Sequence, residues 1–152
     1  MPRGSAVYVN QKSVYINTQI FLERLKIHFV PRITAGKVIL MLDGHGSHCN
    51  SVETLTCADE DDIILLWIPP HTTYYLQPPD RSVLKSLKAS FYQACDRWVK
   101  SNVDRRISRL QFGQLQGVAW AKSATVENAA SGFKLTGIYP LDQQKILDYA
   151  YV

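Results

Sequence analysis

Two aspartates stand where paired carboxylates could hold a divalent cation. Asp43 directly follows the continuous apolar run 38–42, and Asp80 lies just ahead of a long helical pattern. Open α/β sheets bind ligands at the C-terminal ends of their strands, and the positive end of a helix dipole favours an ionised carboxylate. Mg²⁺ and Mn²⁺ accept such oxygen ligands, and two such metals can support phosphodiester cleavage. The alternative is that both residues are ordinary loop-capping aspartates.

The loop after Asp43 carries further polar candidates. His45 and His48, together with Cys49 and Cys57, would suggest zinc, but the chain has no C-x₂-C pair. Residues 44–47 (GHGS) superficially resemble a serine-hydrolase loop, but the G-x-S-x-G elbow is absent. We therefore expect His45 and His48 to shape the loop through hydrogen bonds or through contact with a substrate phosphate.

Positive charge is concentrated in the second half of the chain. Residues 1–80 contain six basic and eight acidic residues, whereas residues 81–152 contain 11 basic and five acidic residues. A basic segment of this kind can bind an acidic polymer such as nucleic acid, although a solvated helix face would look the same. The candidate phosphate contacts are Arg81, Lys85, Lys88, Arg97, Lys100, Arg105 and Arg106.

The hydrophobic pattern predicts alternating strands and helices, and hence the α/β class. The runs 38–42 and 63–68 are continuous and apolar, which is typical of strands that are covered on both faces. The predicted helices start near Thr18 and at Ser51, Ser82, Leu110 and Thr125, and an extended proline-rich loop follows the second strand. Aromatic side chains in these patterns are expected in the core: Trp67, Phe91, Trp98, Trp120 and Phe133. Tyr74 and Tyr75, beside Asp80, are better candidates for base stacking.

Size and composition limit the function further. A chain of 152 residues suits one domain or part of a larger one, and 46% hydrophobic residues suffice for a packed core. No apolar run approaches the roughly 18 residues that span a bilayer, and no secretory leader is recognisable. Three cysteines without paired spacing argue against a disulfide framework. We expect a soluble protein in a reducing compartment, without a membrane or small-molecule partner.

Three ordered motifs make the chain resemble the DDE superfamily of transposases, specifically its pogo/Tigger/jerky-like branch. Residues 42–48 (LDGHGSH) are similar to the second-aspartate motif of that family. Residues 69–73 (PPHTT), leading into 76–80 (LQPPD), are similar to its third-acid motif, and residues 132–140 (GFKLTGIYP) resemble the signature near the end of the domain. The resemblance covers residues 6–142, and the spacing between Asp43 and Asp80 fits the family.

The resemblance implies a ribonuclease-H-like core with C-terminal helices, metal-dependent strand cleavage and joining, and a nuclear location. It assigns catalysis and metal binding to Asp43 and Asp80, with His45, His48 and His71 shaping the site. The first catalytic aspartate of the family has no counterpart, because Glu23 is the only acid before Asp43. The helix-turn-helix region that usually precedes the domain is also missing from this sequence. We therefore expect residues 1–152 to form a single partial domain, the C-terminal portion of the catalytic domain.

Two functions from different classes follow. The first is a DNA-binding protein derived from a transposase, whose Mg²⁺-dependent (or Mn²⁺-dependent) endonuclease and strand-transfer site is incomplete. Two carboxylates alone would hold the metal weakly or not at all, so little catalysis is expected. The second is an active metal-dependent DNA endonuclease, completed by an upstream segment or by another chain. The sequence leaves the oligomeric state and the DNA target open.

Overall fold

The computed structural model of the chain describes residue 5 and residues 15–44, 51–104 and 106–146. These residues divide into two compact units, which we call the N-terminal unit (residues 7–73) and the C-terminal unit (from Tyr74 onwards, together with residue 5). The predicted α/β class is confirmed at the level of mixed helices and two parallel strands.

The N-terminal unit begins with the predicted helix near Thr18. Helix α1 spans Thr18–Arg24, and Asn17 caps it by accepting a hydrogen bond from the Ile20 N–H at 2.8 Å. The chain continues as a π-helical turn, Leu25–Phe29, and a 3₁₀ turn, Val30–Arg32. Pro31 lies in that last turn, where its missing N–H ends the helical pattern as the sequence indicates.

Two parallel strands joined by a helix form the rest of this unit. Strand β1 (Val38–Leu42) pairs with β2 (Ile63–Trp67), with Val38 opposite Ile63 and Leu42 opposite Trp67. Helix α2 (Val52–Glu60) connects them and begins directly after Ser51, as predicted. At its start, hydrogen bonds from the backbone N–H and from the Ser51 hydroxyl lower the pKa of the Glu53 carboxyl.

One face of the sheet packs on a small core made of Leu25, Cys57, Ala58 and Ile63. The opposite face is apolar but open: Ile39 is 59% exposed and Ile64 is 49% exposed. The expectation of strands covered on both faces is therefore wrong for the described residues. The described sheet has only two strands, and helices cover only one side of it.

The C-terminal unit is helical. It contains two short helical turns followed by three longer helices: α3 (Thr73–Leu76), α4 (Pro78–Arg81), α5 (Val83–Ser101), α6 (Arg109–Ser123) and α7 (Val126–Leu135). A capping box formed by Ser108 and Gln111 starts α6, and Thr125 caps α7 by accepting from the Asn128 N–H at 3.1 Å. A 3₁₀ turn follows at Gln143–Lys145.

Helices α5 and α6 pack against each other through small and aromatic side chains. Ala119 is completely buried, and the Phe91 and Phe112 rings lie 5.3 Å apart in an edge-to-face arrangement. The Ser86 hydroxyl donates to the Ser123 hydroxyl at 3.2 Å. Small side chains at this contact allow the two helices to approach closely, so the predicted apolar face of α5 is the one that packs.

The aromatic prediction is only partly correct. Phe91 and Trp98 are half-buried on α5, as expected for a packed face. Trp67, Trp120 and Phe133 are 38%, 43% and 38% exposed, respectively. Their assignment to the core was therefore wrong. The periodic pattern of a helix or strand places these residues on one side, but another layer must pack there before the side becomes core.

Candidate functional site

Asp43 lies where the sequence places it, at the C-terminal end of β1. The pairing of the strands extends to this point, because the Ile68 N–H donates to the Leu42 carbonyl at 2.8 Å. The Asp43 side chain is half-buried. Gly44 comes next, and a Cβ at Gly44 would lie 3.7 Å from the Ile68 carbonyl oxygen, an ordinary contact. Asp43 is thus held at a strand end, the position from which side chains in α/β sheets reach ligands.

His45, His48 and Arg105 lie outside the described residues, so the roles assigned to them stay predictions. His71 is described and exposed, in a turn after Pro69 and Pro70. Its φ of 63° is in the left-handed region, which histidine tolerates better than most residues. The Thr72 hydroxyl closes the turn by donating to the Pro69 carbonyl at 2.7 Å.

Asp80 is found in a helical turn of its own rather than at the end of an extended loop. Pro78 and Pro79 occupy the first positions of α4, where a fixed φ and a missing N–H are compatible with a helix. The Asp80 N–H donates to the Gln77 carbonyl at 3.1 Å, and the side chain is half-buried. The proline-rich segment is therefore ordered as two helical turns, α3 and α4.

Ser82 does not cap α5, contrary to the sequence prediction. Its side chain makes no capping hydrogen bond to the start of that helix. The hydroxyl instead donates to the Asn128 carbonyl at 2.7 Å and lies 3.3 Å from the Pro78 carbonyl. Ser82 therefore ties α4 to α7.

Gly132 permits the same contact from the α7 side. A Cβ at this position would lie 2.5 Å from the Pro78 carbonyl oxygen and 2.7 Å from the Ser82 Oγ. Glycine is required because the backbone of α4 approaches this helix too closely for any side chain. The sequence pattern did not predict this close contact between Gly132 and α4. The only available signal was its place at the head of the 132–140 motif.

Arg81 and two tyrosines form a cluster beside Asp80. The Arg81 Cζ lies 5.4 Å from the centroid of the Tyr74 ring, a cation–π arrangement. The Tyr75 ring is 5.2 Å from the Tyr74 ring and perpendicular to it. Tyr74 is 69% exposed, whereas Tyr75 is half-buried. The predicted phosphate contact Arg81 is thus held against an aromatic ring.

The predicted basic residues of α5 lie on its exposed side. We call Lys85, Lys88, Arg97 and Lys100 the cationic face, and all four are exposed. Lys100 donates to the Asp96 carboxylate at 2.7 Å, and both side chains are largely exposed, 75% and 60%. Within the described ranges the other three form no ion pair. Arg106 is exposed after the helix.

The predicted metal ligands fall in different units, Asp43 in the N-terminal unit and Asp80 in the C-terminal unit. The described residues contain no group of three or more histidine, cysteine or acidic side chains that could hold a metal ion. These residues do not by themselves complete a metal centre. The assignment of Mg²⁺ or Mn²⁺ to this pair stays a prediction.

Cys57 lies in the core of the N-terminal unit. It is 3% exposed, and its thiol lies 3.6 Å from the Asp61 carboxylate. Burial, and then the hydrogen bond to Asp61, raise the pKa of the Cys57 thiol. The other residues of the zinc alternative, His45, His48 and Cys49, lie outside the described part of the chain, so that alternative stays untested.

Comparison with known proteins identifies the family. Residues 5–132 match the family model described as DDE superfamily endonuclease, so the chain belongs to that family. A protein described as MFS-type transporter clz9 of Cochliobolus lunatus is 29% identical over an alignment of 152 positions that covers 97% of this chain. The chain spans 16% of the length of that protein. No solved structure matches the chain.

The resemblance to the DDE superfamily is thereby confirmed. Its pogo/Tigger/jerky-like branch stays a prediction. In the part of the chain that the structure describes, no helix is both long and apolar enough to cross a bilayer.

Proposed function

We propose that this chain is a DNA-binding domain of the DDE endonuclease family, from its pogo/Tigger/jerky-like branch. The proposal includes a ribonuclease-H-like core, a nuclear location and an endonuclease site of which residues 1–152 contain two acids. Family membership supports a nucleic-acid partner, and the three motifs support the branch.

The observation that carries the proposal is the cationic face of α5. Lys85 and Lys100 are 15 positions apart, which corresponds to about 22 Å along a helix. That length matches roughly six to seven base pairs of duplex DNA at about 3.4 Å each. Exposed side chains spread over this distance can contact several phosphates without reading the base sequence.

The expected strength of this contact is set by charge. If all four side chains contact phosphates, the slope of log affinity against log salt is about −3.6. Affinity then falls roughly 150-fold between about 50 and 200 mM salt. Lys100 must exchange its ion pair with Asp96 for a phosphate, but exposed pairs of this kind are weak, so the exchange costs little.

The two carboxylates define the second part of the proposal. We infer that Asp43 and Asp80 are the second and third acids of the family site. Glu23, the only acid earlier in the sequence, is exposed on α1 and is a poor substitute for the first. Neither aspartate belongs to the cationic face, so DNA binding through that face does not require them. Family membership favours the alternative of an active endonuclease when another segment or chain supplies the first carboxylate.

The test is DNA binding by fluorescence anisotropy over a series of salt concentrations. Removing three charges of the face, in the Lys85→Gln/Lys88→Gln/Arg97→Gln variant, should bring the salt slope to about −0.9. Asp43→Asn and Asp80→Asn should bind duplex DNA as the unaltered chain does.

The matched control removes the same number of charges elsewhere in the C-terminal unit, at Lys122, Lys134 and Lys145, all of which are exposed. If this control lowers the slope as much as the face variant, binding is not localised on α5. If no duplex binds at low salt, the proposed function fails altogether.

A further inference from the structure

Tyr74 presents an exposed aromatic ring in contact with Arg81, the residue that follows the candidate catalytic residue Asp80. At 69% exposure, most of the ring surface contacts only solvent, although Arg81 lies over it and Tyr75 packs beside it. Tyr75, by contrast, is half-buried. Burial of apolar area therefore does not explain the position of Tyr74.

The segment that carries Tyr74 is anchored firmly on one side. Helix α4 follows α3 directly, and α4 is fixed to α7 by the Ser82 hydrogen bond to the Asn128 carbonyl and by close packing on Gly132. Arg81 is the last residue of α4. An aromatic ring and a cation are thus presented together on a supported element, which lowers the conformational cost of binding a ligand on them.

The charge around the ring favours a polyanionic ligand. Arg81 forms no ion pair in the described ranges, and its only ring contact there is Tyr74. Lys85 and Lys88 follow it along the chain and are exposed. An aromatic ring beside cations is the combination with which proteins bind single-stranded nucleic acid, because bases stack on the ring while cations contact phosphates.

We propose that Tyr74 is a stacking platform for an unpaired DNA base, with Arg81 fixing the ring and contacting the adjoining phosphate. This proposal rests on the proposed DNA-binding function and adds a preference for unpaired nucleotides beside Asp80. The base must be unpaired, because in a duplex both faces of each base are covered by its neighbours. The cationic face of α5 would hold the flanking backbone.

The test compares a short single strand with a duplex of the same sequence. Tyr74→Ala should weaken binding of the single strand by about 5-fold or more and leave duplex binding unchanged, since stacking is lost and phosphate contacts are kept. Tyr74→Phe retains the ring and should bind both as the unaltered chain does. Tyr139→Ala is the control, because Tyr139 is an equally exposed tyrosine (76%) on another segment of the same unit.

A second measurement reports stacking directly. A fluorescent adenine analogue within the single strand should lose emission when it stacks on Tyr74. The loss should disappear in Tyr74→Ala and remain in Tyr74→Phe and Tyr139→Ala.

Three results would overturn the platform. Equal loss of single-strand affinity in Tyr74→Ala and Tyr139→Ala would mean that the Tyr74 ring contributes no more to binding than another exposed tyrosine. Single-strand binding unchanged in Tyr74→Ala, with both DNA forms weakened in the α5 charge variant, would refute the platform and leave the proposed function standing. Absence of binding to either DNA at low salt would refute both.

Discussion

Replacing Gly132 with alanine tests whether α4, and with it Asp80, is positioned by its contact with α7. The added methyl carbon would lie 2.5 Å from the Pro78 carbonyl oxygen, whereas ordinary contacts begin near 3.4 Å. Helix α4 must therefore move away by about 0.9 Å. The second close atom, the Ser82 Oγ, can rotate away, but rotation breaks its hydrogen bond to the Asn128 carbonyl.

The expected magnitude follows from opposing effects. Alanine in place of glycine favours an isolated helix by about 1 kcal/mol. Overpacking of a close contact costs about 1–3 kcal/mol, and loss of the hydrogen bond costs about 1 kcal/mol more. The unfavourable effects are larger, so we expect the free energy of unfolding to fall by about 1–3 kcal/mol. For a chain of this size, each kcal/mol lowers the unfolding midpoint by roughly 2–4 °C.

The assay is thermal unfolding followed by circular dichroism, with two controls. Ser131→Ala adds alanine at the preceding, exposed position of α7 and should not lower the midpoint. Gly44→Ala places a methyl group at an ordinary 3.7 Å contact in the other unit and should change the midpoint little. Ser82→Ala removes one of the two close atoms, so the Gly132→Ala/Ser82→Ala double variant should lose less stability than the sum of the single variants.

An unfolding midpoint of Gly132→Ala at or above that of the unaltered chain would refute the positioning of α4 by its contact with α7. That result would mean that helix propensity prevails and that α4 is free to shift. Asp80 and Arg81 would then lack the support on which their positions depend.

Further predictions concern the buried thiol and catalysis. A thiol reagent should label Cys95 well before Cys57, because Cys57 is buried and its thiol pKa is raised. Peptide mass spectrometry measures both labelling rates, and equal rates would contradict the burial of Cys57. The same raised pKa makes the thiol contribution to stability complete below pH 9.0 and lost as pH rises further, which an alkaline unfolding series compared with Cys57→Ala would detect. This chain alone should not nick supercoiled DNA in the presence of Mn²⁺; nicking that Asp43→Asn abolishes and that the exposed-residue control Asp59→Asn retains would establish the active-endonuclease alternative.

Much of the local structure was predictable from the sequence. The caps at Asn17, Ser51 and Thr125, the two apolar strands and the apolar face of α5 depend on residues only a few positions apart. Ordered motifs along the chain were also sufficient to predict the family, because they require only residue types and their spacing.

At Ser82 a prediction from neighbouring residues fails. Serine before an apolar helical pattern is a strong capping signal, yet its hydroxyl donates to the Asn128 carbonyl far along the chain. A tertiary partner replaced the local one. Likewise, the proline pair predicted a break but is equally compatible with a first helical turn, and the structure has that turn.

The sequence by itself determined which residues could form helices, strands and a phosphate-binding surface, and which family carries such motifs. Only the tertiary structure decided that Gly132 must lack a side chain, that Arg81 lies over Tyr74, and that Trp120 stays partly exposed. The physical reason is that exclusion of atoms and burial depend on what packs against a residue from a distant part of the chain. Hydrophobic periodicity and capping depend on its immediate neighbours.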